Sequence, residues 1–573
     1  MPAAGHMMIR QQKTNGVNAM SIKPHFETYR YTTQICKTGS QSIVECRLPG
    51  SEIAGILAIY AKAVPSECTC ADGEVRYNGK LLLNIVYEDS ERKVCRAERG
   101  AEFSHHATDP AVTPACFAKA DFRTDNVSYR REGSGLYISV IVGAEISVYG
   151  TVQAEYLAGG EGIVAKKSGQ PIVKTVCVSG ESETDDEFDT DYIGDILMHS
   201  ENVNVGYVTA EAGQIVVSGE ISLNLCALKS DLSLCSYERL VPFRLEIPCD
   251  EAMPKLPASA KVRVKSAVLT AGTDEEKGKC RMTAEFILSA DCELYLRDEL
   301  PACEDAFSPE CELKFRKETR TGRVLVDILR FTERVSGPAS LSRTIDYSTA
   351  LQAAVLPRAE ITCRRGDNGG EAEGAIFAEV LLCDADGAHR SAELSLPFLF
   401  PVSYDADCIA EADATVCGLS VRQRREGEAE AEATLKVTLR LYRETKAEYI
   451  SEAEEGEAYR ENDCAVSIFI PRAGDGLWEI AKQLRRPPEE VEKSNPELKF
   501  PVGAGERIFV YRRKWGGPGT ARGRLLDAKG RKKKFLKTRP PARGGGRRRG
   551  RVSGRADDKF EKKSFEAFES LEI

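Results

Sequence analysis

Residues able to do chemistry are plentiful in this 573-residue chain but are not arranged to do it. Cys68 and Cys70 form a CxC pair, and the six histidines are His6, His25, His105, His106, His199 and His389. A zinc site needs four converging ligands, and no HExxH or CxxC accompanies these residues, so no metal is expected. The sequence contains no GxSxG elbow and no GxxxxGK[ST] phosphate loop, and the GGEG at 159–162 does not open a helix as a dinucleotide loop would. Adjacent carboxylates such as Asp185 and Asp186 read as a solvated loop. A general acid or base needs a positioned partner, and none is visible. No catalytic residue and no cofactor are expected, and the chain reads as a non-enzyme.

Recognition chemistry is concentrated in GDGLWEIAKQLRRPPEEVEKSNPEL, residues 474–498. Leu477, Ile480, Ala481 and Leu484 fall at i, i+3, i+4 and i+7, which gives a short helix one apolar face. Asp475 stands where a carboxylate caps such a helix. Arg485 and Arg486 close it, because Pro487 and Pro488 cannot continue it. Pro488, Glu489 and Glu490 suit the first turn of a second helix, ending near Ser494, Asn495 and Pro496. Short strands are expected at 466–470 and 507–511.

In front of this segment, one pattern occurs three times. It runs GEVRYNGKLLLNIVYED (73–89), GQIVVSGEISLNLCALKSD (213–231) and GEAEGAIFAEVLLCDADG (370–387). Apolar and polar residues alternate around Gly79, Gly219 and Gly374, the signature of strands with one buried face. A phenylalanine stands 24 positions after each glycine: Phe103, Phe243 and Phe398. Upstream, SEIAGIL, DYIGDIL and DYSTAL read as helix-like, ending at Leu57, Leu197 and Leu351. A second strand-rich stretch follows each copy, at 135–157, 278–296 and 427–450, long enough to imply long or bent strands. His105 and His106 have Leu245-Glu246 and Phe400-Pro401 as counterparts in the other copies, so they read as a surface pair.

These features predict a mainly β chain: an N-terminal segment 1–20 expected to be disordered, three β-rich units at 21–160, 161–310 and 311–455, a small α+β module at 464–511, and a basic tail, 512–573, expected to be disordered. The tail holds 21 Lys and Arg against 7 Asp and Glu, leaving 58 against 81 in the rest of the chain. An acidic body has no general affinity for nucleic acid, and the tail lacks the regular aromatic interleaving of a base-stacking platform. Nucleic acid is therefore not an expected partner. No stretch approaches the roughly 20 apolar residues of a membrane helix. The first 20 residues show no apolar run before a cleavage site, and Met20 is a candidate start. With no secretory signal expected, the 19 cysteines read as reduced thiols.

The first unit, through LPGSEIAGILAIYAKAVPSECTCADGEVRYNGKLLLNIVYEDSERK, resembles the SPOCS domain of spore-coat assembly proteins, with weaker echoes in the other two. Residues 466–511 resemble a LysM domain in their GD-x-L-W-x-I-A opening, S-N-P-E-L and P-x-x-x-G-E-R-I-x-V close. That resemblance implies a strand–helix–helix–strand fold whose ligand groove lies between Gly474, Asp475, Gly476 and Leu477 on one side and Asn495, Pro496, Glu497 and Leu498 on the other. Trp478 reads either as a ring that stacks on a ligand or as partly buried structure, and Trp478 or Leu498 as the anchor for a protein partner. Where the family commonly has Thr or Ser, this chain has Gly476, so a hydroxyl that could cap or touch sugar is missing.

The combination implies a non-enzymatic scaffold or adaptor at the forespore surface, in the mother-cell cytoplasm of a sporulating bacterium. Its LysM domain would bind the ATPase that polymerises as the coat's basement layer. The alternative implied by LysM is peptidoglycan, held through its N-acetylglucosamine chains.

Overall fold

The computed structural model describes residues 22–511, except 50–52, 133–134, 192, 275–278, 344–348, 367–368, 426–427 and 461–465. The expectations for 1–20 and 512–573 lie outside the described residues. The chain is mainly β.

One six-strand pattern occurs three times. The first copy comprises β1 (Lys23–Pro49), β2 (Ile53–Ala71), β3 (Glu74–Asp89), β4 (Val94–Thr108), β5 (Phe117–Glu132) and β6 (Gly135–Glu161). Its first, sixth and fifth strands form one antiparallel sheet, and its second, third and fourth form another. After β7 (Val164–Lys167), the second copy repeats this with β8 (Gln170–Asp191), β9 (Asp195–Glu211), β10 (Gln214–Leu228), β11 (Leu234–Pro248), β12 (Ala258–Asp274) and β13 (Lys279–Leu300). The short β14 (Cys303–Phe307) then pairs back to β7. The third copy is β15 (Cys311–Leu341), β16 (Ala350–Gly366), β17 (Gly369–Cys383), β18 (His389–Val402), β19 (Ile409–Arg425) and β20 (Glu428–Ala458). Here the tip of β15 also pairs with β18, which joins both layers into one six-stranded sheet.

The glycine-to-phenylalanine offset in the sequence is a strand register. Gly79 lies opposite Phe103, Gly219 opposite Phe243 and Gly374 opposite Phe398. Each ring lies over its glycine: a Cβ there would meet the ring's Cζ at 2.6, 2.8 and 2.6 Å respectively. Glycine leaves a gap in the sheet face, and the cross-strand aromatic fills it.

The helix-like readings at Leu57, Leu197 and Leu351 are corrected: the described residues there open β2, β9 and β16. A β-bulge interrupts each strand near its start, and Leu57, Leu197 and Gln352 are the extra residues. A bulge breaks the two-residue alternation, so neighbours such as Leu57 and Ala58 are both buried. The resulting spacing imitates a helical stripe. These bulged starts meet in one apolar junction, with Leu57, Ala58 and Val86 of the first copy, Leu197, Met198 and Cys226 of the second, and Ala353, Val355 and Leu381 of the third.

The C-terminal module follows the expected order: β21 (Val466–Phe469), α1 (Leu477–Leu484), α2 (Pro488–Ser494) and β22 (Ile508–Tyr511), with the two strands antiparallel.

Candidate functional site

The apolar stripe read on α1 is the face that packs. Ile480 and Ala481 are buried with Val491, Val502 and Ile508, and Leu477, Leu484 and Leu498 lie against them. Asp475 does not cap this helix. Gly476 occupies the N-cap without a side-chain hydrogen bond, and the Asp475 carboxylate instead accepts the Arg472 N–H at 2.9 Å, closing the loop before the helix. Gly474 has φ +95°, a conformation glycine adopts without strain. Its N–H donates to the Val502 carbonyl at 2.9 Å, and the Val502 N–H donates to the Asp475 carbonyl at 3.0 Å. These bonds tie the 474–477 loop to the segment that follows residues 495–498.

The nine residues of the expected site have different roles in the structure. Asn495 is buried; its amide donates to the Val491 and Phe509 carbonyls, both at 3.0 Å, and its oxygen accepts the Phe509 N–H at 2.8 Å. It joins α2 to β22 and has no amide hydrogen left for a ligand. Gly474, Pro496 and Glu497 are exposed; Asp475, Gly476, Leu477 and Leu498 are half-buried.

Trp478 is engaged within the chain. Its indole N–H donates to Asp305 of β14 at 2.9 Å, and its ring meets Phe307 edge-on, with centroids 5.4 Å apart. Lys482, one turn on, reaches both Asp305 oxygens at 2.7 Å. Burial raises the Asp305 pKa, but the Lys482 and Trp478 bonds outweigh it and hold the carboxyl below its ordinary range. The Arg485 guanidinium stacks 3.3 Å from the Tyr459 ring centroid, adding a cation–π contact to the body. Beyond the expected groove, the outer face of the β21–β22 pair exposes Ile468 (57%), Ile470 (65%) and Phe509 (41%). Their alternation is visible in the sequence, but two four-residue strands do not reveal which face is covered.

Groups able to do chemistry elsewhere lie in quiet surroundings. Every cysteine among the described residues is an unpaired thiol. Burial pushes Cys36, Cys68 and Cys417 up to about 11, away from the reactive thiolate. Asp185 and Asp186 sit on β8 rather than a loop, and Asp186 pairs with Arg239 at 2.7 Å. Among the described residues, Asp405, Asp407 and Cys408 bring three ligand-type atoms together, but the Arg443 guanidinium already pairs with both carboxylates. Burial first, then Glu393, pushes Glu379 of β17 up to about 7. Among the described residues no helix is long and apolar enough to cross a membrane.

A second constellation was not legible in the sequence, because its members come from all three copies. Lys37 of β1 pairs with Glu145 of β6 and reaches Glu411 of β19 at 2.9 Å; Arg323 of β15 meets the same Glu411 at 3.0 Å. Lys261 and Arg263 of β12 lie 3.1 and 3.5 Å from Asp121 of β5. Asp291 of β13 takes Lys119 at 3.0 Å and also pairs with Arg263. Burial works against the charge on Glu411, but Lys37 and Arg323 outweigh it and hold its pKa at about 2. These ion pairs surround a chamber of about 60 Å³.

No protein-family model matches this chain, and neither a curated protein nor a solved structure matches it.

Proposed function

We propose that this protein is a non-enzymatic scaffold of the spore-coat assembly type: three SPOCS-like β units carry a LysM-like module that recruits a coat-morphogenetic partner. The observation that carries this reading is the strand–helix–helix–strand module at 466–511, held against the body by Asp305 and presenting an apolar outer face. Because Trp478 and Asn495 are engaged inside the chain, the partner contact is assigned to Ile468, Ile470 and Phe509, with Leu498 beside the expected groove. A few well-packed anchors carry most of the energy of a protein interface. The partner suggested by the resemblance is the ATPase of the coat's basement layer, acting at the forespore surface of the mother cell.

The test immobilises the full chain, a chain ending at residue 460, and full-length Ile468→Asp and Leu498→Asp variants. Purified basement-layer ATPase and purified peptidoglycan are offered to each. ATPase retained by the full chain, weakened at least tenfold by Ile468→Asp and lost on truncation supports the reading. Peptidoglycan bound through the module, with the ATPase ignored, replaces it with the glycan reading.

A further inference from the structure

Between the three copies lies an open cavity of about 1350 Å³, whose floor shares Asp121, Lys261, Arg263 and Arg440 with the ion-paired chamber. Its walls include residues 121–125 of β5, 202–205 of β9, 260–263 of β12, 358–362 of β16 and 412–415 of β19. Each of these strands stands at the edge of its sheet and pairs on one side only. An edge strand offers unpaired N–H and C=O groups, a template for another strand.

The side chains narrow the class of occupant. Apolar residues on these strands, such as Val203, Val205 and Ile361, pack into the sandwich cores. The alternating positions between them are polar: Asn202 and Asn204 on β9, Arg358 and Glu360 on β16. The charged lining is balanced, with Arg123, Lys261, Arg263, Arg358 and Arg440 against Asp121, Asp125, Glu360, Glu373 and Asp413. Such a lining does not favour a polyanion, which needs an excess of one sign. The volume exceeds the roughly 300–1,000 Å³ that encloses a drug-sized molecule. Two edge carbonyls of β9, those of Val203 and Val205, already accept bonds from Thr415 and Arg330 of the third copy, so β9 is taken at those two positions.

We propose that the cavity receives an extended, polar segment of another polypeptide, which adds as a strand to one of these edges. Main-chain pairing supplies the affinity, and the alternating charged and amide side chains select the sequence. This inference does not depend on the LysM-like module, because every wall residue lies in the three β units.

The probe is an array of capped decapeptides in which Thr alternates with Lys, Glu, Asn or Tyr, offered to the full chain, with binders measured by fluorescence anisotropy. Each binder is then remade with alternate amides N-methylated, which removes the donors on one edge. The chain is also prepared as Asn204→Trp, which fills the cavity from a polar edge position, and as Arg123→Glu, a reversal at an exposed site. The proposal expects at least a tenfold loss on N-methylation and on Asn204→Trp in a chain that melts as the parent does. It also expects Arg123→Glu to shift preference from Glu-bearing towards Lys-bearing peptides, which keeps the test informative should Asn204→Trp fail to fold. The proposal is overturned if no peptide binds, if binding is indifferent to N-methylation and to the cavity variants, or if N-acetylglucosamine oligomers displace the peptides and bind more tightly.

Discussion

Among the places where the three β units meet, two are built from opposite materials. At the bulged starts of β2, β9 and β16 they share an apolar junction in which Leu57 and Leu197 are nearly inaccessible. Around the small chamber they share ion pairs, with Lys37, Lys119 and Lys261 each reaching a carboxylate of another copy. The first junction is held by removal of apolar area from water, which carries no charge for salt to screen or pH to titrate. The second depends on charge, and each buried ion offsets much of its attraction with lost hydration. One contact sets cohesion; the other sets the conditions under which the copies stay together.

Leu57→Ala should produce the largest effect. It leaves a cavity in the apolar junction and costs about 3–5 kcal/mol, and the loss should be the same in low and high salt when unfolding is followed in urea. Asp291→Ala leaves Lys119 without its carboxylate and Arg263 with Asp121 alone; a loss of about 3 kcal/mol is expected, smaller in 1 M NaCl. A loss equal at both salt concentrations would break the distinction between the junctions.

Acid sharpens the same contrast. The Glu411 pKa is depressed from 4.5 to about 2, so its ion pairs contribute stability that is complete above about pH 4.5 and disappears as pH falls towards 2. About 2–3 kcal/mol should be lost across that window. A Glu411→Gln chain should start lower and lack this part of the acid limb; an unchanged acid midpoint would remove Glu411 from the account.

Smaller effects are expected within the units. Gly219→Ala sets a Cβ 2.2 Å from the Asn204 carbonyl oxygen as well as against the Phe243 ring, whereas at Gly79 the nearest atoms are side chains of Phe122 and Phe103. Both overpack, by about 1–3 kcal/mol, and Gly219→Ala should be the worse because backbone yields less readily than a ring. Asp305→Asn should cost about 1 kcal/mol, since its bonds to Trp478 and Lys482 are partly solvated. The Trp478 indole N–H should then exchange with water faster; unchanged exchange would mean the module is held by Phe307 and Tyr459 alone.

The sequence showed the units because a strand register is periodic: the 24-residue interval from Gly219 to Phe243 is the length of chain needed to return to the neighbouring strand. It misled at Leu57 and Leu197 because a bulge places consecutive residues in the core, and the resulting spacing resembles a helical turn. In the module, the helix face and loop positions were legible from proline, glycine and apolar spacing. That Trp478 belongs to the module's partly buried structure was legible too, but its partner was not, because Asp305 lies 173 residues away. Nor were the cavity and its ion pairs, whose partners are separated by up to 374 positions, as in Lys37 and Glu411. Local pattern records which face of an element is covered; it does not record what covers it.

The seam in the third unit has a consequence for how the chain comes apart. In the first two units the two layers are separate sheets, so they can part without a shared backbone bond being broken. In the third, Ser340 and Leu341 pair with Ser395 and Leu394, and the Ser342 N–H donates to the Glu393 carbonyl at 2.9 Å. Separating those layers requires main-chain bonds to break at the tip of a 31-residue strand. A chain pulled from its ends, or loosened by denaturant, would surrender its first two units before the third, leaving the unit next to the C-terminal module as the last to let go.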